Sequence, residues 1–209
     1  MMNQEKIIAS LLLDIQAVKL KPENPFIWAS GWKSPIYCDN RKTLSYPLVR
    51  KAIQEDFARL ATQIYPDAEV IAGVATGAIA HGLLVAEALN LPFIYVRTAT
   101  KNHGLGNRVE GAWKKGQKVL VIEDLISTGG SSLSAVEALK SEELDVLGMM
   151  AIFTYGFPVA EDNFKNAGVK LTTLSNYNKL IELAYEAEYI TKEQISTLQK
   201  WRKDPEGWK

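Results

Sequence analysis

Apolar positions along this chain follow two alternating rhythms. Ile7, Ile8, Leu11, Leu12, Ile15 and Val18 recur at helical spacing, which predicts an amphipathic helix over about 3–19, closed by Lys21-Pro22 and Asn24-Pro25. Aromatic and β-branched residues around Ser30-Gly31 predict a short hairpin over about 26–38. Val49, Ile53, Phe57, Leu60 and Ile64 return to helical period over about 47–65. From there strands and helices take turns. Strands are predicted over 69–73, 92–96, 118–122, 145–154 and 169–174, and helices over 78–89, about 130–143 and about 159–167, with a helical tail from about 177 to 203. Apolar strands alternating with helices predict an α/β fold with a parallel central sheet covered by helices on both faces. Residues 1–45 precede that pattern and are expected to form a small helix-hairpin cap on a single domain whose α/β core and C-terminal helices span 46–209.

One stretch has neither rhythm. Residues 97–117 carry four glycines among Arg97, Lys101, His103, Arg108, Lys114 and Lys115. A long aperiodic loop inside a compact domain is either plain solvated connection or functional. A mobile basic lid over an anionic ligand is the sharper of the two expectations.

Composition narrows the classes. The chain has 209 residues, 47% hydrophobic and 23% charged, with 24 basic side chains balancing 24 acidic ones. A neutral balance argues against a general nucleic-acid coat while leaving room for a local basic pocket. No apolar run reaches the roughly 18 residues of a membrane span. The N-terminal stretch lacks the charged and small-residue pattern of a signal peptide. The single cysteine, Cys38, allows no internal disulfide and reads as a packed hydrophobe, so a cytoplasmic setting is expected. His81, beside apolar residues in a helical run, reads as structural or surface, and 39–42 (DNRK) as a solvated turn or part of a dimer surface. No His or Cys pair has metal-ligand spacing.

The densest chemistry is 119–132, VLVIEDLISTGGSS. A buried strand is expected to deliver Glu123 and Asp124 at its carboxyl end, where open α/β sheets place their ligands. Ser127, Thr128, Gly129, Gly130 and Ser131 follow, just before a helical pattern. Glycines let backbone N–H groups come close to a ligand, and a helix N-terminus adds partial positive charge. A plain strand–turn–helix junction with hydroxyl caps would look similar. The acidic pair tips the reading toward a ribose 5-phosphate clamp, with carboxylates on the sugar hydroxyls. The segment is neither a Walker A loop nor a dinucleotide fingerprint.

This segment resembles the PRPP-binding motif of type I phosphoribosyltransferases. FIWASGWKSPIYCDNRKTLSYP and YVRTATKNHGLGNRVEG resemble the orotate-side signature and the catalytic loop of orotate phosphoribosyltransferases, and VIAGVATGAIAHG fits the same family. The resemblance implies the type I phosphoribosyltransferase fold and transfer of phosphoribose from PRPP to orotate with Mg²⁺, which would arrive with PRPP. It also implies a homodimer whose loop closes over the partner's site.

For PRPP, the resemblance implies binding by Arg97, Lys101, His103, Glu123, Asp124, Leu125, Ile126 and the turn Ser127–Ser131, with Lys101, His103 and Asp124 catalytic. It implies that Tyr37, Cys38 and Ser127 lie against orotate, with Lys33 in the same wall, and that Ala75-Thr76-Gly77 turns beneath the pyrophosphate. Some branches of the family carry lysines where this chain has Ala29, Thr76 and Thr98, which leaves fewer fixed cations for the pyrophosphate. Two rivals remain at this point: a phosphoribosyltransferase for another base, and a PRPP-sensing regulator.

Overall fold

The computed structural model describes residues 4–28, 30–97 and 108–208. The chain opens with helix α1 (Gln4–Asp14) and strands β1 (Val18–Leu20), β2 (Phe26–Ile27), β3 (Lys33–Ser34) and β4 (Ile36–Cys38). A 3-10 turn over Asn40–Ser45 leads into α2 (Pro47–Ile64). Then follow β5 (Val70–Val74), α3 (Ile79–Leu89), β6 (Phe93–Val96), β7 (Val109–Glu110), β8 (Lys118–Ile126), α4 (Gly130–Ser141), β9 (Asp145–Thr154), α5 (Pro158–Asn166), β10 (Leu171–Asn176), α6 (Tyr177–Glu186) and α7 (Lys192–Lys203).

Among the described residues, six strands form one sheet in the order β10-β9-β8-β5-β6-β7, parallel except for β7. Alternation along each strand splits the apolar residues between two cores. Ile71, Leu120 and Ile122 face the larger core with α1, α2, α3, α6 and α7. Val70, Ala72, Val119 and Val121 face the smaller one, under α4 and α5.

The N-terminal segment departs from its expectation. Helix α1 stops at Asp14, because Gln16 takes a positive φ of 55° and Val18 pairs with Cys38 in an antiparallel ladder. The hairpin proper is β2 against β3, while β4 pairs with β1. Helix α1 does not stand apart from the main body as a cap would. Ile8 and Leu12 are fully buried in the larger core with Tyr177 and Leu180 of α6. The predicted helical tail is two helices, broken where Glu188 takes a φ of 57° and restarted by a capping box between Thr191 and Gln194. The aperiodic stretch holds β7, too short to show a rhythm.

Candidate functional site

The site forms where the central strand outruns one of its neighbours. Strand β5 accompanies β8 only as far as Ile122, while β9 stays paired with it to Ile126. The strand predicted to end at Ile122 therefore runs four residues further, and Glu123 and Asp124 lie within it. Past the last β5 pairing, one flank of β8 opens onto the turn Ala75–Gly77 that follows β5. The side-chain phase also shifts here. Leu125 packs against the larger core that holds Leu120 and Ile122, and Ile126 is fully buried in the smaller one. Ile126 was expected at the PRPP site, but its side chain points into the core, so only its backbone is left for a ligand.

A cavity of about 330 Å³ occupies this opening. Cys38, Asp39 and Arg41 wall it from the N-terminal segment, Ala75, Thr76 and Gly77 from the turn, and Glu123, Asp124, Leu125 and Ser131 from β8 and α4. Larger hollows of about 770 Å³ and about 820 Å³ lie between α6 and α7 and along α4. Neither gathers adjacent carboxylates beside a glycine turn at a strand end, so the chemistry selects the smaller cavity.

The two carboxylates do different work. Glu123 is buried, and both its oxygens are engaged: Oε1 accepts from the Asp124 N–H at 2.9 Å and Oε2 from the Ser132 hydroxyl at 2.9 Å. Burial, then the neighbouring Asp124 charge, pushes its pKa up to about 8. Asp124 is raised as well, chiefly by burial, and its carboxylate packs directly over Gly77. A Cβ on Gly77 would stand 2.5 Å from Asp124 Cγ and 2.8 Å from Oδ1. Burial is the first cause for both, and the repulsion of the neighbouring Asp124 charge adds to it at Glu123. Across the cavity, the Arg41 guanidinium donates to Asp39 at 2.6 Å and holds that carboxyl below its usual range.

The turn Ser127–Ser131 leads into α4. Gly129 is the N-cap at φ +83°, and no side chain caps the helix. Helices α2, α3 and α5 also lack a side-chain cap, whereas α6 and α7 are capped by Asn176 and Thr191; only α4 starts at the cavity, directly after the hydroxyl and glycine turn. An uncapped N-terminus presents free N–H groups and a positive dipole end to an anion. Helix α5 braces the turn from below: Asn163 Nδ2 donates to the Thr128 carbonyl at 2.9 Å, and the Phe164 ring lies under Gly129.

The remaining predicted residues are scattered. Cys38 lines the cavity, but its thiol donates to Asn40 Oδ1 at 3.3 Å and burial raises its pKa, so it stays protonated and packed as its sequence context suggests. Tyr37 points outward, 40% exposed, with its ring 5.5 Å from Phe26. Arg97 directly follows β6, forms an ion pair with Glu110 at 3.6 Å and does not line the cavity. Lys33 is exposed on β3. Lys101, His103, Ala29 and Thr98 lie outside the described residues. His81 is buried beside Thr43, and burial lowers its pKa to about 4, so it is structural and neutral.

Residues 39–42 are not a solvated turn: Asn40 is buried, while Asp39 and Arg41 face the cavity. Sequence reasoning missed Asn40, Arg41, Ser132, Asn163 and Phe164. Only Ser132, in the turn's hydroxyl cluster, had a local signal. Among the described residues, no group of three or more His, Cys, Asp or Glu side chains is placed to hold a metal ion, and no helix is long and apolar enough to cross a membrane.

An acidic pair, an uncapped helix N-terminus and a partly outrun central strand define a sugar-phosphate transferase of the phosphoribosyl class. The phosphoribosyl transferase domain family matches the chain over residues 48–185. The orotate phosphoribosyltransferase of Porphyromonas gingivalis is 58% identical over 203 residues, 97% of each chain. That of Bacteroides thetaiotaomicron is 57% identical over 208 residues, 100% of this chain and 98% of its own. The chain belongs to the orotate phosphoribosyltransferase family. Among solved structures, the orotate phosphoribosyltransferase of Aeropyrum pernix superposes with a TM-score of 0.77 at 26% identity, covering 88% of this chain and 99% of its own. The architecture is thus the type I phosphoribosyltransferase fold expected from the resemblance.

Proposed function

We propose that this chain transfers the 5-phosphoribosyl group of PRPP to orotate, giving orotidine 5′-monophosphate and pyrophosphate in pyrimidine biosynthesis. The observation that carries the reading is the Glu123–Asp124 pair facing the Ala75–Gly77 turn across a 330 Å³ cavity, next to the uncapped N-terminus of α4. In this reading the N–H groups of the Ser127–Ser131 turn and the first turn of α4 hold the 5-phosphate. Asp124 accepts from a ribose hydroxyl. Glu123, with both oxygens engaged inside the protein, fixes the Asp124 peptide and the start of α4.

The bond from the ribose C1 to pyrophosphate breaks as the orotate ring nitrogen attacks, and positive charge builds on the ribose ring. Carboxylates set beneath that ring before the reaction stabilise the charge without reorganisation. Arg97, Lys101 and His103 are proposed to meet the departing pyrophosphate, with His103 able to give it a proton near neutral pH. Loop closure would keep water from hydrolysing PRPP.

Mg²⁺ belongs to the proposal as an ion brought in on PRPP. Of the cavity carboxylates, Asp39 is held by Arg41, which leaves Asp124 to meet a cation that keeps most of its ligands as phosphate oxygens and water. When bound, it supplies charge neutralisation to the leaving group. Base contacts are proposed for the Tyr37–Cys38 wall and Ser127. A homodimer is part of the reading, supported by the exposed side chains of Tyr46, Leu48 and Leu83 near the packed α2 and α3; sedimentation of the pure protein tests it. The buried free thiol fits a reducing, cytoplasmic setting.

The direct test follows orotate absorbance after adding PRPP and Mg²⁺. Orotate should be consumed and pyrophosphate released in equal amounts. Consumption of uracil or a purine but not orotate would overturn the assignment of the base. Failure with every base, alongside tight PRPP binding, would point to a sensor.

A further inference from the structure

The 3-10 turn before α2 holds a buried polar cluster that the proposed reaction leaves unused. Asn40 is 1% exposed. Its Nδ2 donates to the main-chain carbonyl of Asp124 at 2.5 Å, and its Oδ1 accepts from the Cys38 thiol at 3.3 Å. The Asn40 carbonyl accepts from the Thr43 hydroxyl at 2.5 Å, and that hydroxyl stands 3.0 Å from His81 Nε2 on α3. One amide side chain thus bridges the N-terminal wall of the cavity and its carboxylate floor.

The reason lies in the sheet. Beyond Ile122, β8 has no β5 partner, and Asp124 has none in the β9 register. Where a strand loses a neighbour, a side-chain donor can stand in for a ladder partner at a partly buried carbonyl. Asn40 does so from 84 residues away. His81 and Thr43 hold the turn that carries Asn40, and the neutral imidazole places no buried charge beside it.

We propose that Asn40 is a positioning residue for phosphoribosyl transfer. Its amide fixes the Asp124 peptide, and through it the carboxylate that meets the ribose. The inference rests on the proposed function: wild-type turnover of orotate and PRPP tests that reading, and the variants below are read relative to wild type.

Asn40→Ala and the near-isosteric Asn40→Asp both remove the donor, so either one carries the test where the other does not fold. Each should lower kcat/KM for PRPP by about tenfold or more, as displacement of a reacting group does. A core variant remote from the cavity, Phe57→Leu, provides a control with lowered melting temperature and kcat/KM within about twofold of wild type. The decisive measurement is a double-mutant cycle with Asp124→Asn. If Asn40 acts through Asp124, Asn40→Ala adds little further loss once Asp124 has been changed. Multiplying losses in the double variant, or folded Asn40 variants with wild-type kcat/KM, would overturn the proposal.

Discussion

Gly77→Ala tests the site by moving a carboxylate without deleting any charge. The added Cβ would stand 2.5 Å from Asp124 Cγ and 2.8 Å from Oδ1. Carbon atoms settle at about 3.5–4.0 Å, so the carboxylate must withdraw by about 1 Å. Asp124 has a short side chain on a fixed strand, with its peptide held by Asn40, so the withdrawal comes from side-chain rotation out of the cavity. A misplacement of about 1 Å costs on the order of 100-fold in rate, or about 2.7 kcal/mol. Loss of one hydrogen bond to a charged group, about 1.5–3 kcal/mol, gives the same range. Gly77 is not at a positive φ, so alanine fits the backbone there and the fold should be kept. The assay is kcat/KM for PRPP at saturating orotate, with a thermal melt on the same sample. A folded variant within about threefold of wild type would mean that Asp124 does not meet the ribose, and the assigned role would fall.

The pKa of Glu123, up at about 8, gives a second expectation. A carboxyl raised in the folded state favours folding below the ordinary carboxylate range, and that contribution is lost as pH rises toward 8. A ligand that requires both carboxylates ionised must expel the proton, so PRPP affinity should weaken below about pH 8, by at most about tenfold per pH unit. Calorimetry near neutral pH in two buffers of different ionisation heat should show proton release that Glu123→Gln lacks; equal release in both proteins would contradict it. Gly129→Ala should destabilise the fold by about 1–2 kcal/mol for the left-handed backbone alone, read as a lowered melting temperature, since φ is +83° and the Cβ would meet Phe164 at 2.8 Å. Gly130→Ala, whose Cβ would meet only Thr128 Oγ1 at an ordinary 4.0 Å, should melt like wild type, and matching melts for the two variants would rule out this account. Trp201→Phe keeps the ring packing but loses the N–H that donates to the Lys33 carbonyl at 3.1 Å. It should raise KM for orotate several-fold more than KM for PRPP, and an equal rise in both would separate the hairpin from the base site. Lys101→Ala should cut kcat far more than PRPP affinity, the mark of a contact made mainly in the transition state, and an unchanged kcat would remove Lys101 from the chemistry.

What could be read from sequence followed the range of the interactions. Helix α2 and strand β9 fall within a residue of their predicted ends, because each is a long segment with one clear period. Strand β8 ran past its predicted end because Glu123 and Asp124 look like a stop when read as polarity, yet the strand stays paired with β9 through Glu123 and Leu125 on either side of Asp124. Helix α1 was predicted too long because Ile15 and Val18 continue the helical spacing while Val18 belongs to a strand pairing with Cys38. The motif of carboxylates, hydroxyls and glycines was legible because it is contiguous.

The supports of that motif were not legible. Asn40 reaches Asp124 across 84 residues and Asn163 reaches Thr128 across 35, with no local pattern announcing either bond. Even where a residue was flagged correctly, the reason could differ. Gly129 stood out as room for a ligand, but its positive φ and the Phe164 ring already require glycine before any ligand binds.

The bond from Trp201 to Lys33 has a consequence in time. Apart from Asn40, the carboxylate and glycine-turn side of the cavity draws on residues from Ala75 to Asn163, whereas the β2–β3 hairpin is tied to a helix 168 residues further along. Helix α1 likewise waits for Glu182 and Glu186, which pair with Lys6, and for Ser175, whose hydroxyl donates to the Glu5 carbonyl. A ribosome adds roughly 5–20 residues per second, so the hairpin emerges on the order of ten to thirty seconds before Trp201 exists to hold it. During synthesis the carboxylate side of the cavity can assemble first, and the hairpin is fixed only when α7 docks. Until then the nascent chain displays the apolar face of α1 and the aromatic side chains around Trp28, the surfaces a chaperone would hold.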